Sequence, residues 1–113
     1  MQKICCFLGT DKIPPAHTVY TKLCSLMEKL IIKDKVTVFV VGYCTVFDSV
    51  ACVAAVKLKE KYPHIQIEVA SGNTESILKK CTHIAVYSYI AHREMLKEIK
   101  KENKKIKIYH LIS

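Results

Sequence analysis

Strand-like and helix-like segments alternate along all 113 residues. This predicts a single α/β domain over residues 1–113, a three-layer sandwich around a five-stranded parallel sheet. Three observations carry the prediction. Val36–Val41 is apolar on both faces, as an inner parallel strand is. Val19, Leu23, Leu26, Met27 and Leu30 recur at helical spacing. No repeat, linker or low-complexity stretch interrupts the series.

The first strand is read as Lys3–Leu8, ending at Gly9. A polar loop, Thr10–Ala16, follows, and Pro14 and Pro15 exclude helix until about His17, so the first helix is placed at Thr18–Lys33. Val36–Val41 is the second strand and Gly42–Val46 the turn after it. The second helix runs over Phe47–Lys61, with Val50, Ala51, Ala54, Val56 and Leu58 inward, and Pro63 marks its end. Ile65–Ala70 alternates as a third strand; Ser71–Asn73 is a turn and Thr74–Lys80 a short helix. His83–Ser88, Arg93–Asn103 and Ile106–Ile112 complete the series as strand, helix and strand. Right-handed crossovers then favour the strand order 3-2-1-4-5. That order puts a switch point between the first and fourth strands, where open sheets bind ligands beyond the strands' carboxyl ends.

Half the residues are apolar and a quarter charged, so one core can form without covalent staples. The six cysteines show no disulfide or metal-ligand spacing. Cys6, Cys44 and Cys52 have apolar neighbours, and the adjacent Cys5 and Cys6 point to opposite faces of a strand. No signal-peptide pattern opens the chain, so the thiols are expected to be reduced and the protein cytoplasmic. No apolar run approaches the roughly 20 residues that span a bilayer, which argues against a membrane partner.

Charge is uneven: residues 1–78 carry +2 and residues 79–113 carry +6. Lys97, Lys100, Lys101, Lys104, Lys105 and Lys107 form a basic end. It reads either as a solvated, solubilising face or as a surface for single-stranded nucleic acid or an acidic protein. Only Tyr109 is interleaved with these lysines as a stacking aromatic.

The predicted crevice collects Gly9–Lys12, Gly42–Asp48, Ser71–Asn73 and Ser88–Ala91. The segment VGYCTVFDSVA, Val41–Ala51, resembles the G-G-x-x-G-x-D-x-x-A turn of the YpsA-like branch of the SLOG superfamily. That superfamily is related to the DNA-processing protein DprA and the LOG nucleotide hydrolases. The opening KICCFLGTDKIP, and the stretches VAAVKLKEKYPHIQIEVA and SILKKCTHIAVYS, extend the resemblance over about residues 3–89. It implies a Rossmann-like domain whose glycine turns face a nucleotide-like ligand. Gly9, Gly42 and Asp48 match motif positions. Val41 and Val46 stand where the pattern has glycine, and Thr10 and Asp11 where it has His and Arg. The PGG-x-G-T-x-x-E signature of the LOG enzymes is missing.

The candidate ligand-binding residues are therefore Gly9, Thr10, Lys12, Gly42, Tyr43, Thr45, Asp48 and Ser88. Thr45 and Asp48 also fit a helix N-cap and its third residue, a role compatible with contacting a ribose. Cys44 precedes the same helix but has no base nearby in sequence. Tyr43, Tyr87 and Tyr89 read as strand-end packing or base stacking, and His92 and Arg93 as surface or phosphate contacts. No Ser/His/Asp set, Walker loop or paired-carboxylate signature is present. The leading expectation is a non-catalytic domain for a nucleotide-type ligand, with no cofactor or metal identified. The alternatives are the nucleic-acid or acidic-partner module and a small nucleotide hydrolase. Related domains often form homodimers; the short third helix or the last strand offers apolar positions for this, although a lysine-rich edge also protects against edge pairing.

Overall fold

The structure, a computed structural model, describes residues 2–13, 15–42, 45–70, 74–87 and 92–111. Strands β1 (Ile4–Leu8), β2 (Val38–Val41), β3 (Gln66–Val69), β4 (His83–Val86) and β5 (Lys107–His110) alternate with helices α1 (Ala16–Lys33), α2 (Val46–Lys61), α3 (Thr74–Lys79) and α4 (Arg93–Glu102). All strand pairs are parallel, in the order β3-β2-β1-β4-β5. This is the order expected from the alternation. Each strand is shorter than its apolar run, because ladder pairing ends before the side-chain pattern does.

The two sheet faces carry separate cores. Cys5, Phe7, Phe39 and Val41 pack with α1 and α2, while Cys6, Leu8, Ile84 and Val86 pack with α3 and α4. The register sets Gln66 beside Val38 and Glu68 beside Val40, so these polar residues share the α3 side of the sheet and are exposed there. A six-residue α3 is too short to cover both strands. Val40 is left half-buried on an open stretch of that face.

Three expectations need correction. Helix α1 starts at Ala16 rather than Thr18, since the Pro15 carbonyl accepts from the Thr18 amide at 2.9 Å and proline suits a helix start. Val56 points outward at 52% exposure, and Ala55 takes the inward position instead. The thiols are not all free: Cys6 and Cys81 are joined as a disulfide, with Cα atoms 6.3 Å apart. Their separation of 75 residues hid the pairing, which β1 and the segment entering β4 bring about. Cys5, Cys24 and Cys52 are free, and burial pushes the Cys5 thiol far up, leaving it protonated.

At the amino-terminal end of the sheet, Asp34 ties α1 to β4 and β5. It accepts from His83 Nε2 at 2.9 Å and from the Tyr109 hydroxyl at 3.2 Å, with Lys107 Nζ at 3.5 Å. Thr82 Oγ1 lies 2.8 Å from His83 Nδ1, and the Tyr109 ring is stacked on the imidazole. Burial pushes the His83 imidazole below its usual value, outweighing the hydrogen bond to Asp34. Near pH 7 the ring is therefore neutral, donating from Nε2 to Asp34, while the Thr82 hydroxyl beside Nδ1 donates to the Ile4 carbonyl at 3.0 Å. Burial alone would raise the Asp34 carboxyl, but His83, Lys107 and Tyr109 together hold it low.

His83 favours the deprotonated form in the folded state, so stability falls as pH drops below about 6.5, where the unfolded chain takes up the proton. Denaturant unfolding between about pH 7.5 and 5 should show that loss in the native chain and a flatter profile in His83→Gln. At neutral pH that substitution should cost about 1–3 kcal/mol.

Candidate functional site

The carboxyl ends of β1 and β2 open into a cavity of about 290 Å³, near the lower limit of small-molecule sites at about 300 Å³. Its floor is the open sheet face, with Cys6, Leu8 and Val40. Ile77 and Leu78 of α3 and Met95 of α4 make an apolar wall. The polar groups converge at one end: Thr45, Asp48 and His92, beside Gly9 and Gly42. An apolar bed with a few fixed polar groups suits an aromatic heterocycle carrying hydroxyls.

The first turn of α2 defines the polar end. Thr45 and Asp48 form a reciprocal capping box, each backbone amide donating to the other's side chain at 3.1 Å. The next two amides are taken by the β1–α1 connection, which crosses the helix end. Val46 N donates to Asp11 Oδ1 at 3.1 Å, and Phe47 N to the Thr10 carbonyl at 3.4 Å. A helix start leaves about four amides without intrahelical partners. Here Thr45, Val46, Phe47 and Asp48 all donate to the chain's own acceptors.

Both site glycines are explained by this helix. A Cβ at Gly9 would run into the Phe47 ring, and one at Gly42 would lie 2.7 Å from the Asp48 carboxylate. They allow α2 to come close to the strand ends. Phe47 in turn joins a row of aromatic rings, with Phe7 at 6.5 Å and Tyr87 stacked at 5.9 Å between centroids.

Of the expected ligand-binding residues, Gly9, Gly42, Thr45 and Asp48 line the cavity together. Thr10 and Lys12 belong to the crossing loop, where Thr10 Oγ1 donates to the Lys12 carbonyl at 3.1 Å. Tyr43 and Ser88 lie outside the described residues, as do Cys44, Tyr89 and the Ser71–Asn73 turn. Tyr87 packs in the α1/α2 core. His92 reaches the site, its Nε2 lying 3.3 Å from the Gly9 carbonyl, whereas Arg93 is exposed beside Glu94. The Asp11 contact was not foreseeable from local sequence, since its partner is 35 residues away. Met95, Ile77 and Leu78 carried only a core signal.

The six lysines of the basic end are all exposed. Lys101 pairs with Glu98 at 3.5 Å and Lys107 with Asp34, while Lys100 donates to the Ile106 carbonyl. Glu94, Glu98 and Glu102 share α4 with Lys97, Lys100 and Lys101, so that helix is of mixed charge. Leu78 is buried and Ile77 and Ile108 are half-buried in the core. Exposed apolar surface lies instead on α2, at Val46 and Val53, beside Tyr20 of α1. Among the described residues no three His, Cys, Asp or Glu side chains gather as a metal site would, and no helix is long and apolar enough to cross a membrane.

The chain matches no family model and no curated protein.

The packing at Gly42 gives a direct test of the glycine's role. Gly42→Ala should destabilise the fold by about 1–3 kcal/mol through overpacking. In an Asp48→Ser background, which keeps a capping hydroxyl but removes the obstructing carboxylate, most of that cost should vanish. Denaturant unfolding of the double-mutant cycle reads this out; additive costs would reject the contact.

Proposed function

We propose that this chain is a SLOG-like, non-catalytic domain that holds a nucleotide-type ligand in the crevice beyond β1 and β2. The observation that carries the reading is the convergence of Gly9, Gly42, Thr45, Asp48 and His92 on one end of a largely apolar cavity. The base would lie on the floor at Leu8 and Val40, against Ile77 and Met95. The ribose hydroxyls would face the acceptors at Thr45 and Asp48. The likeness of Val41–Ala51 to the YpsA-like turn supports the same placement. Non-catalytic binding fits the composition of the site. Among the described residues, its polar side chains are a capping threonine, a capping aspartate and a histidine directed at a backbone carbonyl. A nucleophile with a positioned base is not among them.

A thermal-shift panel of nucleosides, nucleotides, ADP-ribose and NAD tests the proposal. A ligand present at about 100 times its dissociation constant adds about 2.7 kcal/mol, several degrees for a domain of this size. Asp48→Ala should abolish that shift while costing the unliganded fold only about 1 kcal/mol, the loss of a cap. A panel that leaves the melting temperature unmoved would sink the reading.

A further inference from the structure

We propose that the Cys6–Cys81 disulfide is a redox-controlled latch on the crevice, opened by thiol reductants, whatever ligand the cavity takes. Closed, it ties the segment after α3 to the central strand. Opened, it frees α3 to shift, and with α3 the apolar wall made by Ile77 and Leu78.

The two ends of the bond are held unequally. Cys6 lies on the cavity floor in β1, which is paired with β2 along one edge and β4 along the other, so it moves only if the sheet opens. Cys81 ends the turn after α3, its amide donating to the Leu78 carbonyl at 3.2 Å. The next residue is fixed: Thr82 exchanges two hydrogen bonds with Ile4, each at 2.8 Å. The hinge therefore falls at Cys81, and the helix ahead of it depends on its own anchors. Six residues do not hold their place alone, since isolated helices shorter than about 12–15 residues are marginal in water. Leu78 is buried at 1% exposure, but the Lys79–Glu102 ion pair at 3.2 Å is exposed and worth little, and Asn103 reaches the Cys81 carbonyl only at 3.4 Å. Among these contacts the disulfide is the strong one. Half of the residues are apolar, so the core can form without a staple, and the bond can open without unfolding the chain.

The step is a thiol–disulfide exchange. A thiolate of a dithiol attacks one sulfur, and its new S–S bond forms as the Cys6–Cys81 bond breaks. The second thiol of the reagent then displaces the mixed disulfide. The reagent leaves as a cyclic disulfide, oxidised by two electrons, and its two protons end on Cys6 and Cys81. The fold accommodates this product. Cys81 Sγ lies 3.3 Å from the Ile77 carbonyl, an acceptor for the new S–H, and the apolar cluster around both sulfurs favours thiols over thiolates. Reclosure then requires a disulfide oxidant such as oxidised glutathione, which accepts the two electrons and leaves as two thiols.

Cys5 supplies an internal control, because it neighbours Cys6 on β1 but is buried at 0% exposure under α1 and α2 on the opposite face. The chain is reduced with dithiothreitol without denaturant, freed of the reagent under argon, and alkylated with iodoacetamide while folded. Mass spectrometry follows the labelling residue by residue. Cys6 and Cys81 should be labelled about tenfold or more faster than Cys5, because local opening is easier than global unfolding. Amides of α3, Lys80 and Cys81 should lose exchange protection by a similar factor, those of β1 and α2 staying within about twofold. Oxidised glutathione should restore both kinds of protection. Cys81→Ala should show the same Cys6 labelling and α3 exchange with no reductant present; should that variant fold poorly, the reduced native chain carries the test by itself. Equal labelling of Cys5 and Cys6 would make the bond a staple of the whole fold and overturn the proposal. Unchanged exchange in α3 after reduction would overturn it too, as would a bond that dithiothreitol leaves intact in the folded chain.

Discussion

The approach of α2 to the ends of β1 and β2 is the constraint on which the site depends. The Phe47 ring fills the space a side chain at Gly9 would occupy, and the Asp48 carboxylate stands where one at Gly42 would project. Small inward residues, Ala51, Ala54 and Ala55, continue this close contact along the helix. Since the helix start is held by two strand ends and by the β1–α1 connection, its position is fixed by packing and by hydrogen bonds together. Interior packing at crystal-like density leaves little room for such an element to shift.

The crevice is a by-product of unequal coverage. On one face, two long helices seal the sheet; on the other, the six-residue α3 leaves Val40 half-exposed, with polar Gln66 and Glu68 beyond it. Cys6, joined to Cys81 at the end of α3, belongs to the floor of the same cavity. Floor and wall are thereby covalently connected. The walls supply apolar surface, while the polar side chains among the described residues come from the starts of α2 and α4.

What could be read from the sequence follows the range of the interactions. The strand order was legible because β2 is apolar on both faces and each helix carries its own periodicity. The capping box was legible because Thr45 and Asp48 are three residues apart and the pattern is local. Contacts across the fold left no such trace. Asp11 to Val46, His83 to Asp34 and Cys6 to Cys81 are 35, 49 and 75 residues apart, and each depends on the register of strands that sequence does not specify. The glycines show a third situation. Sequence marked Gly9 and Gly42 as special, yet not whether a ligand or a neighbouring helix fills the place of the missing side chain. Val56 misled because its spacing matched the inward set, while helix rotation favoured Ala55.

The central strand also has a history in time. β1 pairs with β2 on one edge, but its other edge waits for β4, reached through the contact of Ile4 with Thr82 across 78 residues. During translation at about 5–20 residues per second, that edge stays bare for about 4–16 s. It is the apolar segment Ile4–Leu8, the kind of strand edge that recruits other chains when left unpaired. A nascent chain halted before β4 therefore displays this apolar edge unpaired, and β5, which begins at Lys107, is the last strand added to the sheet.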